Sequence, residues 1–165
     1  RELVLSLSRF FRINLKQNTA VVTLKEEIDH VNAYLAIEKA RFAERLQVTI
    51  KCDDAAMSAL LPSFTLQPLV ENAVKHGIAQ RIEGGHLTLN VRCTTDNHIH
   101  ILVEDNAGLY KPKKEQHAGL GMDIVDKRLI HQFGQQAGLV IECRTNQFTR
   151  MSFSIPHTHY HSHQG

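Results

Sequence analysis

The sequence predicts an α+β fold, a two-layer sandwich with a mixed sheet, preceded by a helical arm. Three observations carry this. Hydrophobic periodicity gives the order helix, helix, strand, helix, strand, strand, helix, strand, strand. Neighbouring strands are joined by short turns and pair as hairpins, so the sheet is largely antiparallel or mixed. The chain has 165 residues, 42% of them hydrophobic and 22% charged, which is enough to build a core without disulfides or metals.

The arm is assigned to residues 1–45. Leu3, Val4, Leu7, Phe10, Phe11 and Leu15 recur at helical spacing with a wide apolar face. After a break at Asn18-Thr19, Thr23 and Glu26 read as a capping box. The helix it opens carries Leu24, Ile28, Val31, Leu35, Glu38 and Phe42, a heptad-like seam. An αα-hairpin packed on its own domain and an arm of a dimeric bundle both satisfy that pattern. The chain opens at Arg1 without a methionine, as expected of a piece of a longer protein.

The second domain is assigned to residues 46–156. Leu46, Val48 and Ile50 alternate with polar residues, the mark of a strand. A loop containing Asp53-Asp54 and Pro62 leads to a helix over about 65–80, with Leu66, Leu69, Val70, Ala73 and Val74 on one face. Gly84-Gly85 makes a turn, and 86–92 and 98–104 form a hairpin about Asp96-Asn97. A helix over 122–133 turns Ile124, Val125 and Leu129 inward. Strands over 139–144 and 148–155 close the domain before Pro156.

Composition removes several classes of function. Lys plus Arg number 19 against 17 acidic residues, a net charge of +2, which offers no nucleic-acid footprint. No apolar run spans a bilayer, and the start does not resemble a signal peptide. Cys52, Cys93 and Cys143 are widely spaced with no CxxC pair, and read as small apolar residues of a reduced protein. Histidine is over-represented at 11. His157, His159, His161 and His163 alternate in a tail over 157–165, an adventitious metal binder or an appended tag.

Three segments could carry chemistry. In Leu66 to Gly77, the residues Asn72, Lys75 and His76 share one helical face. An amide oxygen beside a cation, with the Glu71 carboxylate next door, suits nucleotide phosphates and Mg²⁺. An ordinary solvated helix face is the alternative. In Val103 to Gly108, Asp105 ends a strand and can accept a hydrogen bond from an exocyclic amine; a simple turn is the alternative. In Gly119-Leu120-Gly121-Met122, glycines open a helix whose N-terminus favours an anion. No Walker lysine follows, and no βαβ unit surrounds it.

In this order and spacing the three segments resemble the N, G1 and G2 boxes of the Bergerat-type (GHKL) ATP-binding fold of histidine kinases, gyrase, Hsp90 and MutL. Val31 to Phe42, Leu66 to Gly77, Glu104 to Tyr110, Gly119 to Met122 and Val125 to Leu129 extend the likeness over nearly the whole chain. They resemble the LytS/YehU-like sensor histidine kinases, and within them the pyruvate-responsive enterobacterial group.

The resemblance implies ATP and Mg²⁺ as cofactors. Asn72 would coordinate Mg²⁺, with Glu71 a possible second ligand. Lys75 and His76 would lie near the phosphates, and Asp105 would bind the adenine amino group. Gly108, Gly119, Leu120, Gly121 and Met122 would line the nucleotide, and Tyr110 to Ala118 would form a short ATP lid, with Lys111, Lys113 and Lys114 as solvated charges. The γ-phosphate would pass to a histidine upstream and then to a response regulator. The full protein would be a homodimer through the arm, the cytoplasmic part of a bacterial inner-membrane protein, touching the membrane only through segments absent here.

Departures accompany the likeness. Ala107 and Leu109 stand where the G1 box has glycines, and Ile124 stands where an asparagine is common. No Asn-Pro-His-Phe phosphoacceptor segment occurs. The in-chain candidate is His30, beside Asp29; a surface histidine on the arm is the other reading. Two further functions stay open. A GHKL ATPase clamp needs a glutamate one turn before Asn72, but Pro68 stands there, and Glu71 points about 100° away around the helix. A non-catalytic interaction module would explain Ala107 and Leu109.

Overall fold

A computed structural model describes residues 21–112 and 120–157. The predicted helix at 1–17, Lys113 to Gly119 and the tail histidines beyond His157 lie outside the described residues. Helix α1 (Leu24–Phe42) begins at the predicted box. Thr23 accepts from the Glu26 N–H at 3.2 Å, and Glu26 accepts from the Thr23 N–H at 2.8 Å. Thr23→Ala removes one side of this box and should cost about 1 kcal/mol, read as a lower urea midpoint with unchanged slope.

Five strands form the main sheet: β2 (Leu46–Cys52), β4 (Gly85–Cys93), β5 (His98–Asp105), β6 (Val140–Arg144) and β7 (Phe148–Pro156). The spatial order is β2-β4-β5-β7-β6, and only β2–β4 is parallel. The sheet is therefore mixed, as expected of hairpins joined to one crossover. Helices α2 (Leu66–Lys75) and α3 (Leu120–Phe133) complete the second layer. Leu87, Leu89, Ile99, Ile101, Met151 and Ile155 line the sheet's inner face. They share one core with Leu66, Leu69, Val70 and Val74 of α2, and with Val125 and Leu129 of α3.

Four differences from the sequence reading have physical causes. Short strands β1 (Val21–Thr23) and β3 (Leu60–Pro62) pair antiparallel, a ladder too short to show alternation. Helix α2 stops at Lys75 because His76 caps it and the chain turns at Gly77. Ile124 is 41% exposed, since the inward stripe of α3 runs through Val125 and Leu129, one turn apart. The seam of α1 is buried as predicted, but against the sandwich: Leu24, Val31 and Leu35 belong to the core cluster. Helix α1 therefore packs on the sandwich.

Candidate functional site

The candidate residues gather around α2. One turn before Asn72, Pro68 faces Gly121 at the start of α3; a Cβ added to Gly121 would lie 4.0 Å from the Pro68 Cβ and meet nothing nearer. At the other end, Gly77 lies against Asp105. A Cβ there would sit 2.6 Å from the Ala73 carbonyl oxygen and 3.2 Å from Asp105 Oδ1. Only glycine allows that approach. The second and third sequence segments thus border the ten-residue helix of the first.

Asp105 occupies the last inward position of β5, after Ile99, Ile101 and Val103. It is 2% exposed. Its Oδ1 accepts from the N–H of Ala107 at 2.9 Å and of Gly108 at 3.2 Å. Burial pushes the Asp105 carboxyl above the usual aspartate range, and those two N–H donors pull it back in part. Such a group, inside a wall, is suited to accept one directed hydrogen bond from a ligand.

Lys75 and His76 are exposed at the C-terminal end of α2, and Asn72 is half-buried. Glu71 turns toward α1. It accepts from Gln67 Nε2 at 2.8 Å, lies 4.0 Å from Lys75 Nζ, and acts electrostatically on His30 and Tyr34 of α1. Burial, with Glu38 and Glu71 nearby, raises the Tyr34 phenol. Met122 is half-buried and packs against the core. Leu120 begins α3, and Gly119 lies outside the described residues.

Gly108 has a packing reason of its own. Its φ is +63°, and its carbonyl accepts from the Asn146 N–H at 3.0 Å. It seats the strand-end loop on the β6–β7 turn. Ala107 is buried beside it.

His30 is corrected on both readings. It is 0% exposed, so it is neither a surface histidine nor open to a phosphoryl donor. Its ring meets Phe64 edge-on with centroids 5.6 Å apart, and burial lowers its pKa against an opposing pull from Glu71. Periodicity missed this because histidine is scored as polar.

Two supporting residues are absent from the sequence reading. Arg81 donates to the Asn106 carbonyl at 2.8 Å, and Asn106 Oδ1 accepts from the His86 N–H at 2.7 Å, fixing the loop that holds Asp105. Glu27 of α1 is fully buried at the start of α2, where it accepts three backbone N–H groups. A signal for Glu27 existed: it falls on the inward face with Leu24, Ile28 and Val31. Among the described residues, no cluster of three His, Cys, Asp or Glu could hold a metal ion. No described helix is long and apolar enough to cross a membrane.

The fold agrees with what known proteins show. Residues 57–159 match the model for histidine kinase-, DNA gyrase B- and HSP90-like ATPases, and residues 1–46 match the histidine kinase model. The chain belongs to the histidine kinase-, DNA gyrase B- and HSP90-like ATPase family. It is 48% identical over 155 residues to the sensor histidine kinase BtsS of Escherichia coli K12, covering 94% of this chain and 27% of that protein. It is 37% identical over 163 residues to the sensor histidine kinase/phosphatase LytS of Staphylococcus aureus MRSA252, covering 90% of this chain and 28% of that one. The chain spans about a quarter of the length of these relatives. Full-length ShkA, solved in complex with AMPPNP, superposes with a TM-score of 0.61 at 16% identity, over 97% of this chain and 36% of that one.

Proposed function

We propose that this chain is the ATP-binding catalytic part of a two-component sensor histidine kinase. It binds Mg·ATP and delivers the γ-phosphate to a histidine on a helix preceding the arm. From there the phosphate passes to an aspartate of a response regulator. The full protein works as a homodimer through the arm, with this part in the cytoplasm beneath a membrane anchor. The carrying observation is the convergence of Asp105, Gly77, Pro68 and Gly121 around the helix that bears Asn72. The identity to BtsS and LytS, and the AMPPNP in ShkA, support the same reading.

Each residue then has a role. Asp105, buried at the end of β5, accepts the adenine amino hydrogen. The Asn72 side-chain oxygen is the ligand for Mg²⁺, which when bound neutralises phosphate charge. Glu71, directed at Gln67 and α1, is not part of that set. Lys75 and His76, exposed beside Asn72, add positive charge toward the phosphates. Gly119, Leu120, Gly121 and Met122 border the phosphates at the start of α3. Gly108 acts one step back, by holding the Asp105 loop.

Phosphoryl transfer needs positioning and charge neutralisation more than bond-making groups. Hydrolysis to water needs a base, and the position one turn before Asn72 is Pro68. A clamp ATPase is therefore the weaker alternative. The isolated chain should bind ATP yet autophosphorylate little, because His30 is buried.

Titration with a fluorescent ATP analogue tests this. The chain should bind with Mg²⁺ and lose affinity in EDTA. Asn72→Ala should abolish that Mg²⁺ dependence, weakening Mg·ATP about tenfold or more, as for loss of one charge-assisted contact. Equal Mg²⁺ dependence in the variant would remove Asn72 from the site.

A further inference from the structure

We propose that Glu27 is a positioning residue for the nucleotide site, holding the first turn of α2 from the arm helix and so setting where Asn72 stands. This rests on the reading of α2 as the ATP-site helix.

The first turn of any helix leaves N–H groups without intrahelical partners. A local N-cap side chain usually satisfies one of them. Thr65 stands at that position but makes no cap: its hydroxyl donates instead to the Pro62 carbonyl at 2.5 Å. The cap comes from elsewhere in the chain. Glu27 Oε1 accepts from the Phe64 N–H at 2.7 Å. Its Oε2 accepts from the N–H groups of Thr65 at 3.1 Å and Leu66 at 3.0 Å. Both carboxylate oxygens of one residue thus hold a turn 37 to 39 positions away.

The turn is also strained. Phe64 has φ +58°, a left-handed conformation unusual for a bulky residue. Strain of this kind persists only where surroundings over-determine it. Here they do so from two sides. Glu27 and the edge-on ring of His30 press from α1. From α3, the Arg128 guanidinium donates to the Ser63 carbonyl at 3.0 Å. The entrance to α2 is therefore gripped between the arm helix and the helix that carries Gly121.

Two features turn this grip into a link to the site. Helix α2 has ten residues, and Asn72 lies about 9 Å along it from Leu66. Loosening the first turn of so short a helix reaches Asn72. Secondly, Glu27 lies in the segment matched by the histidine kinase model and α2 in the segment matched by the ATPase model. The carboxylate bridges the two, so a shift of the arm is felt at the metal-binding end of the site and not at Asp105, which the sheet and Arg81 hold separately.

The test compares wild type, Glu27→Gln and Glu27→Asp in the full 165-residue chain. Affinity for a fluorescent ATP analogue is measured with Mg²⁺ and in EDTA, and amide hydrogen exchange is followed by peptide. Glu27→Gln should lose about tenfold in the Mg²⁺-dependent affinity, the usual scale of coupling between sites, with little change in EDTA. Exchange should quicken across 64–75 while β4 and β5 stay protected. Glu27→Asp, keeping the charge on a shorter arm, should recover part of both, and it carries the same readouts if Glu27→Gln does not fold. Unchanged Mg²⁺-dependent affinity overturns the proposal. So does equal loss in EDTA together with faster exchange in the sheet, which marks a merely structural residue. If wild type binds no Mg·ATP, the functional reading falls; exchange across 64–75 still decides whether Glu27 holds α2.

Discussion

Asp105→Asn should abolish most nucleotide binding and leave the protein as stable as before, or more so. The two halves of this expectation come from one fact, the burial of a carboxylate. In the proposed role the carboxylate would accept a hydrogen from the adenine amino group. An amide in its place presents a neutral oxygen or a second donor, and the oxygen already serves Ala107 and Gly108. A hydrogen bond to a charged partner contributes about 1.5–3 kcal/mol, so affinity should fall roughly 10- to 100-fold.

Stability moves the other way. Burial holds the folded pKa of Asp105 above its ordinary value of 3.8. A carboxyl with a raised folded pKa favours folding in its protonated form. That contribution is complete below the unfolded pKa and is lost as pH rises through the folded one. At a pH above its raised folded pKa the ionised Asp105 is therefore a cost, and the isosteric amide removes it while keeping an acceptor for the two N–H groups. Urea unfolding at neutral pH should show an equal or higher midpoint for the variant, with the advantage shrinking as pH falls. Acidification should also weaken adenine binding in wild type sooner than an ordinary aspartate would. A variant that binds as wild type does, or that loses both binding and stability, would displace Asp105 from the adenine role.

How far the sequence disclosed this site depends on the range of the interactions involved. Alternation in Leu87-Leu89-Val91 and the stripe Leu66, Leu69, Val70, Ala73, Val74 report local geometry, and each of these residues is buried in one core. Those patterns, with the order of the three motif segments, were enough for the sandwich and its family. Contacts across the chain left no periodic trace. Nothing local marks Glu27 as the cap of a helix 39 residues on, or Arg81 as the brace of Asn106. His30 illustrates the opposite error. Its aspartate neighbour suggested chemistry, yet the helical face it shares with Glu27, Val31 and Tyr34 decides its burial. Position on the helix outweighs residue type there, because turning His30 outward would expose the apolar residues beside it.

The glycine pattern of the G1 segment shows the same division, and it yields the second large expected effect. The resemblance to the G1 box implies glycines at positions 107 and 109, where this chain has Ala107 and Leu109 on either side of Gly108. Gly108→Ala should be severe, and Ala107→Gly mild. At Gly108 the backbone is left-handed, with φ +63°, a conformation that costs a residue bearing a Cβ about 1–2 kcal/mol. The new methyl would also lie 2.3 Å from the Arg144 carbonyl oxygen, 2.6 Å from the Gln147 nitrogen and 2.8 Å from the Asn146 nitrogen. All three are backbone atoms of a tight turn, so no side chain can swing aside. Relief requires moving the loop off β6–β7, which breaks the Asn146-to-Gly108 bond and drags the Gly108 N–H from Asp105. Together these should cost about 3 kcal/mol or more, lowering the melting temperature by roughly 10 °C in a chain of this size. Ala107→Gly deletes one buried methyl and loosens the unfolded chain, a loss of about 1–2 kcal/mol. Thermal unfolding of the two variants side by side decides the matter. If Gly108→Ala melts with or above Ala107→Gly, the loop is not seated on the β6–β7 turn. If the order holds, the glycine at 108 is explained by the turn beneath it.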